Sequence, residues 1–185
     1  MSQDRRVRAA TFNIRHGLGM DGRQDLHRTA GAIRALAADV VGLQEVDALT
    51  QRSGGVDQAA TLGRELGMSS AFEAAMPFDG GQYGLAVLSR YPIIGSRSFY
   101  LPEGHEPRVA QTVDVRLPDG NTLTVVNIHF DWVEDDAFRF AQANAVAGFL
   151  IDLATPYVLL GDFNDGPKSR TVDRFRTLAA EARKG

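Results

Sequence analysis

Apolar and polar positions divide the chain into short segments of two periods. Leu26, Ala30, Ile33 and Ala37 recur at three- and four-residue spacing and predict an amphipathic helix. Asp57 to Leu66 repeats that pattern more weakly. Arg8 to Ile14 reads as a strand, as does Val40 to Leu43, which ends at Gln44-Glu45. Ser70 to Met76, Tyr83 to Ser89 and Ile93 to Phe99 are three more, separated by the turn signals Asp79-Gly80-Gly81 and Tyr91-Pro92. Val109, Gln111, Val113, Val115 and Leu117 alternate with Ala110, Thr112, Asp114 and Arg116. Pro118-Asp119-Gly120 then turns the chain and Leu123 to Phe130 returns, which predicts a hairpin. A helix is expected from about Asp135 to Leu153, with Phe138, Ala141, Ala145, Phe149 and Leu153 on one face. Its acidic start, Glu134 to Asp136, suits the positive end of the helix dipole. Tyr157 to Gly161 reads as a buried strand with Asp162 at its tip, and Thr171 to Ala182 as a last helix. Some neighbouring strands are joined by hairpins and others by helices, so the pattern predicts a mixed-sheet α/β or α+β layered domain.

Composition narrows the picture. A length of 185 residues fits a single domain spanning residues 1–185, and 44% hydrophobic with 23% charged residues excludes intrinsic disorder. No apolar run approaches the roughly 18 residues of a membrane span, so no membrane anchor is expected. The polar start lacks the apolar core of a secretory signal. The absence of cysteine excludes disulfides, zinc–thiolate sites and a thiol nucleophile. Together these features fit a cytoplasmic protein. The net charge is −3 and the arginines are scattered, which argues against tight, non-specific nucleic-acid binding.

Polar residues gather where apolar strands end. Asn13 follows Thr11-Phe12, Gln44-Glu45 follows Val40 to Leu43, Asn127 and His129 close the strand from Leu123, and Asp162 and Asn164 follow Val158 to Gly161. Strand ends converging on one sheet edge are a common base for a site. Asn13, Glu45, Asp162 and Asn164 carry the oxygen donors that Mg²⁺ or Mn²⁺ accepts. His129 can stabilise developing charge or move a proton. Each residue also has an ordinary reading: an Asp or Asn after a strand closes a turn or caps a helix, Glu45 is a solvated carboxylate, and His129 is structural. Phe130 and Trp132 are expected to pack in the core or at its rim rather than to stack on a ligand.

The set and its order resemble the endonuclease/exonuclease/phosphatase superfamily of deoxyribonuclease I-like proteins. The matching blocks are Thr11-Phe12-Asn13-Ile14-Arg15, Leu43-Gln44-Glu45-Val46, Leu88-Ser89-Arg90-Tyr91-Pro92-Ile93, Val126-Asn127-Ile128-His129-Phe130 and Leu160-Gly161-Asp162-Phe163-Asn164. The resemblance implies a four-layer sandwich of two mixed sheets flanked by helices. It implies a divalent-metal-dependent phosphoesterase, with Glu45 as the principal metal carboxylate and Asn13 beside it. Asp162 would orient or deprotonate the attacking water, Asn164 would position phosphate or metal, and His129 would hydrogen-bond the scissile phosphate. Arg15, Tyr83 and Arg108 are further candidates for substrate contact. Family members usually carry a late Asp and a Ser-Asp-His-like block, whereas Lys168 to Gly185 holds no histidine. The resemblance therefore implies a second sheet without its last strands, an open edge, and a site short of one histidine and a carboxylate. Such a chain is a fragment, is completed by another copy through that edge, or is a binder without efficient turnover. The substrate is a phosphate ester, either nucleic acid or a small phosphodiester or phosphomonoester. Against the enzyme stand a non-catalytic metal- and phosphate-binding module and a purely structural domain. Gly54-Gly55, Gly80-Gly81 and Pro102 to Pro107 are expected to form loops around the site.

Overall fold

The computed structural model describes residues 6–181 and contains two four-stranded sheets. The first is built from β1 (Ala9–Asn13), β2 (Val40–Ala48), β3 (Ser69–Phe78) and β4 (Gly81–Ser89) in the order β1-β2-β4-β3. The second is built from β5 (Ile93–Tyr100), β6 (Val109–Arg116), β7 (Thr122–His129) and β8 (Tyr157–Asp162) in chain order. Each sheet has one parallel pair, β1 with β2 and β7 with β8, and is otherwise antiparallel. The expected mixed sheets are therefore present. The parallel pairs are those linked through α1 (Leu26–Ala35) and α3 (Ala137–Ile151), as crossover connections require.

The alternation of side chains along the strands divides the core into layers. Val41, Leu43, Ala86 and Leu88 face α1 and α2 (Gln58–Leu66), against Ala30, Ile33, Ala59 and Leu62. Val40 and Val87 point the other way and meet Val113, Val115, Val125 and Leu160 of the second sheet. On the far side Val126 and Ile128 pack with Ala143, Val146, Ala147 and Leu150 of α3 and Phe175 of α4 (Arg170–Arg176). The order is helix, sheet, sheet, helix. The sheets approach closely at Gly42, where a Cβ would lie 1.9 Å from Leu160 Cδ1.

Asn127 is fully buried between the sheets. From β7 it donates to the carbonyls of Leu43 (3.1 Å) and Ala86 (3.0 Å) and accepts from Gln44 Nε2 at 2.7 Å, so it staples the second sheet to the first. Asn127→Ala would strand those groups without water, and a loss of roughly 2–4 kcal/mol is expected. Urea denaturation measures it; a loss below about 0.5 kcal/mol would remove the staple from the account.

The structure corrects two boundaries and one buried face. Strand β2 does not end at Gln44-Glu45 but runs on to Ala48 through an irregular register. Helix α3 buries a face shifted from the one expected: Phe138 is exposed, Arg139, Gln142, Ala143, Val146, Ala147 and Leu150 are inward, and Ala145, Phe149 and Leu153 of the expected face pack half-buried beside them. Arg139 and Gln142 turn in because they serve backbone groups of the preceding loop, including the carbonyls of Val133 and Pro102 and the N–H of Asp131. A hydrophobicity pattern reads such positions as surface. The acidic residues precede the first turn of α3, and the Asp136 carboxylate is paired with Arg170. Helix α4 stops at Arg176, and Ala182 lies outside the described residues. Strand β8 has β7 as its one neighbour among the described residues. No helix among them is long and apolar enough to cross a membrane.

Candidate active site

The ends of β1, β7 and β8 meet the irregular stretch inside β2 at one edge of the sandwich. Glu45 sits where the pairing of β2 with β4 slips between Leu43 and Val46, and its backbone is left-handed, with φ 56°. A non-glycine residue held in that region costs energy, of order 1–3 kcal/mol, and bulges of this kind re-aim a side chain. Two residues on, the Asp47 carboxylate is wholly buried and accepts from Thr50 Oγ1 (2.7 Å), Ser53 Oγ (2.5 Å) and Arg52 Nε and Nη2 (2.8 Å each). Burial opposes its charge, but these hydrogen bonds prevail and hold the carboxyl below its ordinary range. That cluster anchors the strand just beyond the strained residue. Arg52 also lies over the rings of Phe78 and Tyr83, at 4.3 and 5.6 Å.

Asp162 ends β8, in register with His129 at the end of β7. Its Oδ1 accepts from the Asn164 N–H at 2.9 Å. Asn164 has left-handed backbone, with φ 49°, and its amide donates to the Phe130 carbonyl at 2.9 Å. Asn13 joins the two sheets: its Nδ2 donates to Glu45 Oε1 at 2.8 Å and to Asp162 Oδ2 at 3.1 Å. Its Oδ1 accepts from the Arg15 N–H at 3.1 Å. Residues separated by 149 positions thus meet through one amide.

These groups open into a cleft of about 380 Å³ lined by Glu45, Tyr83, His129 and Asn164, with Glu106, Arg108 and Trp132 along its other side. Arg108 is buried; its guanidinium is 2.5 Å from Glu106, and its Nε has no partner among the described residues. Burial, and then the charge of Glu45, pushes the Tyr83 hydroxyl well above its usual range, so it stays a neutral donor. His129 is 6% exposed, with Nε2 4.0 Å from Asp162 Oδ2, too far for a hydrogen bond. Burial and then Arg108 lower its pKa to about 4, against the raising effect of Asp162 and Asp131. At neutral pH it is an uncharged imidazole. As pH falls below about 6.5 the unfolded chain takes up this proton before the folded one, so stability declines down to about pH 4. The His129 ring resonances in NMR are expected to titrate near 4; a midpoint near 6.5 would contradict the burial argument.

The structure brings together seven of the eight residues expected at the site: Asn13, Glu45, Tyr83, Arg108, His129, Asp162 and Asn164. Arg15 is the exception: its side chain is exposed, 3.3 Å from the Met20 sulfur, and only its backbone N–H serves the site. Asn127 belongs to the sheet interface instead. Sequence reasoning missed Glu106 and the Asp47–Arg52 anchor. Asp47 follows the Leu-Gln-Glu block by two positions, the one hint available.

Among the described residues no three His, Asp or Glu side chains are grouped as a metal cage. The donor set still suits a hard cation. Glu45 and the Asn164 amide on the cleft wall offer oxygen, with Asn13 holding the Glu45 carboxylate through its Nδ2, and Mg²⁺ typically binds through one or two carboxylates while keeping several waters.

The profile of the Endonuclease/Exonuclease/phosphatase family matches residues 10–182. The chain is 29% identical to protein cwh43 of Schizosaccharomyces pombe over 169 residues, which is 89% of this chain and 17% of that protein. The crystal structure of an endonuclease/exonuclease/phosphatase from Beutenbergia cavernae superposes with a TM-score of 0.69 at 27% identity, over 89% of this chain and 50% of that one. The human Nocturnin catalytic domain, solved with a bound sulfate anion, superposes with a TM-score of 0.72 at 20% identity, over 92% of this chain and 68% of that one. This chain therefore spans half or less of the first two proteins. With the profile covering nearly all of its length, the chain belongs to the endonuclease/exonuclease/phosphatase family, whose members generally hydrolyse phosphoester bonds.

Proposed function

We propose that this chain carries the site of a divalent-metal-dependent phosphoesterase, which hydrolyses a phosphodiester or phosphomonoester by attack of water. The observation that supports this most is the Asn13 amide, which holds Glu45 and Asp162 together at the meeting of the two sheets, 2.8 and 3.1 Å away. A carboxylate on strained backbone that lines a cleft, tied through one amide to a second carboxylate, is better explained by chemistry than by packing.

Glu45, with Asn13, would hold Mg²⁺ or Mn²⁺, which when bound supplies Lewis-acid neutralisation of the phosphate charge. Asp162, fixed by Asn13 and by the Asn164 N–H, orients a water and accepts its proton as the new P–O bond forms and the bond to the leaving oxygen breaks. The uncharged His129 hydrogen-bonds a phosphate oxygen. Asn164 and the Arg108 guanidinium stabilise the charge that builds up on the phosphoryl oxygens. Preorganised donors of this kind act without reorganising at the moment of reaction.

Hydrolysis of bis(p-nitrophenyl) phosphate tests the proposal. Turnover by the chain is expected with Mg²⁺ or Mn²⁺, lost with EDTA, and restored by excess metal. Turnover that persists in EDTA would refute metal dependence. Phosphate binding without turnover would support a non-catalytic binding module instead.

A further inference from the structure

The chemistry above leaves Tyr83, Glu106 and Trp132 of the cleft unused, and Trp132 is the exposed aromatic among them. It is the chain's single tryptophan and lies 58% exposed on the cleft wall. Exposure alone means little, since Tyr100 and Ile151 are more exposed still. What distinguishes Trp132 is how it is held. The wholly buried Asp131 before it accepts from the N–H of His105 (2.6 Å) and of Val133 (3.1 Å), while its own N–H donates to the buried Gln142 at 2.9 Å. Gly104 packs so near that a Cβ there would lie 2.5 Å from Asp131 Oδ2. The His105 ring meets the indole edge-on, with centroids 5.5 Å apart. Hydrogen bonds of the buried Asp131 thus hold the backbone on both flanks of an indole that stays in water. An aromatic used for packing would be turned inward, as its neighbour Phe130 is. An exposed ring on the wall of a 380 Å³ cleft, with its backbone held on both sides, is placed to stack.

We propose that Trp132 is a stacking platform, and that the substrates of this cleft are phosphoesters whose esterified group presents a ring face, a nucleobase or a sugar, to the indole. Glu106, on the same wall, offers a carboxylate to the N–H or O–H groups that such rings carry at their edges. The proposal rests on the reading of the cleft as a phosphoester site and adds what lies beyond the phosphorus.

Calorimetric titration tests it in the Asp162→Ala background, where bound esters are consumed roughly 10²–10³ times more slowly, with Mg²⁺ present. The probes are adenosine 5′-monophosphate, glucose 1-phosphate, glycerol 3-phosphate and orthophosphate. One ring-bearing ester is expected to bind roughly 10-fold or more tighter than glycerol 3-phosphate, the size that stacking of one ring contributes. It should also quench the emission of the single tryptophan. Trp132→Ala should abolish that preference and leave orthophosphate affinity unchanged, while Trp132→Phe should keep part of it. Adenosine 5′-monophosphate as the tighter ester would assign a nucleobase, and glucose 1-phosphate a sugar. Equal affinity for ringed and ringless esters would overturn the proposal. So would a Trp132→Ala variant that loses orthophosphate equally, since the indole would then only support the loop. If no phosphate of either kind binds, the phosphoester reading itself fails, and this inference with it.

Discussion

Asp162→Ala is expected to lower kcat for bis(p-nitrophenyl) phosphate by roughly 10²–10³, or about 2.7–4 kcal/mol of transition-state stabilisation. The carboxylate accepts from Asn13 Nδ2 and from the Asn164 N–H, so both of its oxygens are already aimed. Its removal takes away the acceptor for the water's proton and loosens two other residues of the cleft. Asp162→Asn separates these effects. The amide keeps an oxygen acceptor and nearly the same shape, yet cannot take a proton. A similar loss in both variants, with circular dichroism and melting temperature unchanged, would assign the effect to chemistry. A change of less than about threefold in Asp162→Ala would remove Asp162 from the mechanism.

One residue earlier, Gly161→Ala is expected to cost about 3–5 kcal/mol of stability, for reasons unrelated to chemistry. Gly161 has φ 148°, where side chains are disfavoured, and a Cβ there would lie 2.2 Å from the Ile128 carbonyl oxygen. That oxygen belongs to the backbone of β7, which pairs with β6 and β8, so it cannot retreat without disturbing the ladder. Gly166→Ala is the control: a Cβ there meets nothing within 4 Å, and a change within about 0.5 kcal/mol is expected. Urea denaturation reads both. A Gly161→Ala variant as stable as the parent would show that β7 and β8 can shift apart. Adjacent residues thus make opposite predictions: one substitution should spare the fold and slow turnover, the other should spoil the fold itself.

How far these features are legible in the chain depends on the range of the interactions behind them. Period-two alternation from Val109 to Leu117 and the Pro118-Asp119-Gly120 turn are local, and the hairpin of β6 and β7 forms where they place it. The polar residues closing β1, β7 and β8 could be picked out because each ends an apolar run, and their order along the chain pointed to the family whose profile matches residues 10–182. The inward face of α3 could not be read from periodicity. Arg139 and Gln142 point inward to satisfy loop backbone, a polar requirement invisible to a hydrophobic pattern.

The sequence by itself determined the element order, the mixed sheets and the residue types available for chemistry, because hydrophobic period and turn propensity act over a few neighbouring positions. Only the tertiary structure decided that Asn13 spans Glu45 and Asp162, that Glu45 sits on strained backbone inside β2, that Asn127 staples the sheets rather than lining the cleft, that Arg15 stays outside it, and that Trp132 stands in water. Each of these depends on groups far apart in the chain or on the register in which one strand meets another. Such contacts exist only once the two sheets have packed, so no local pattern can encode them.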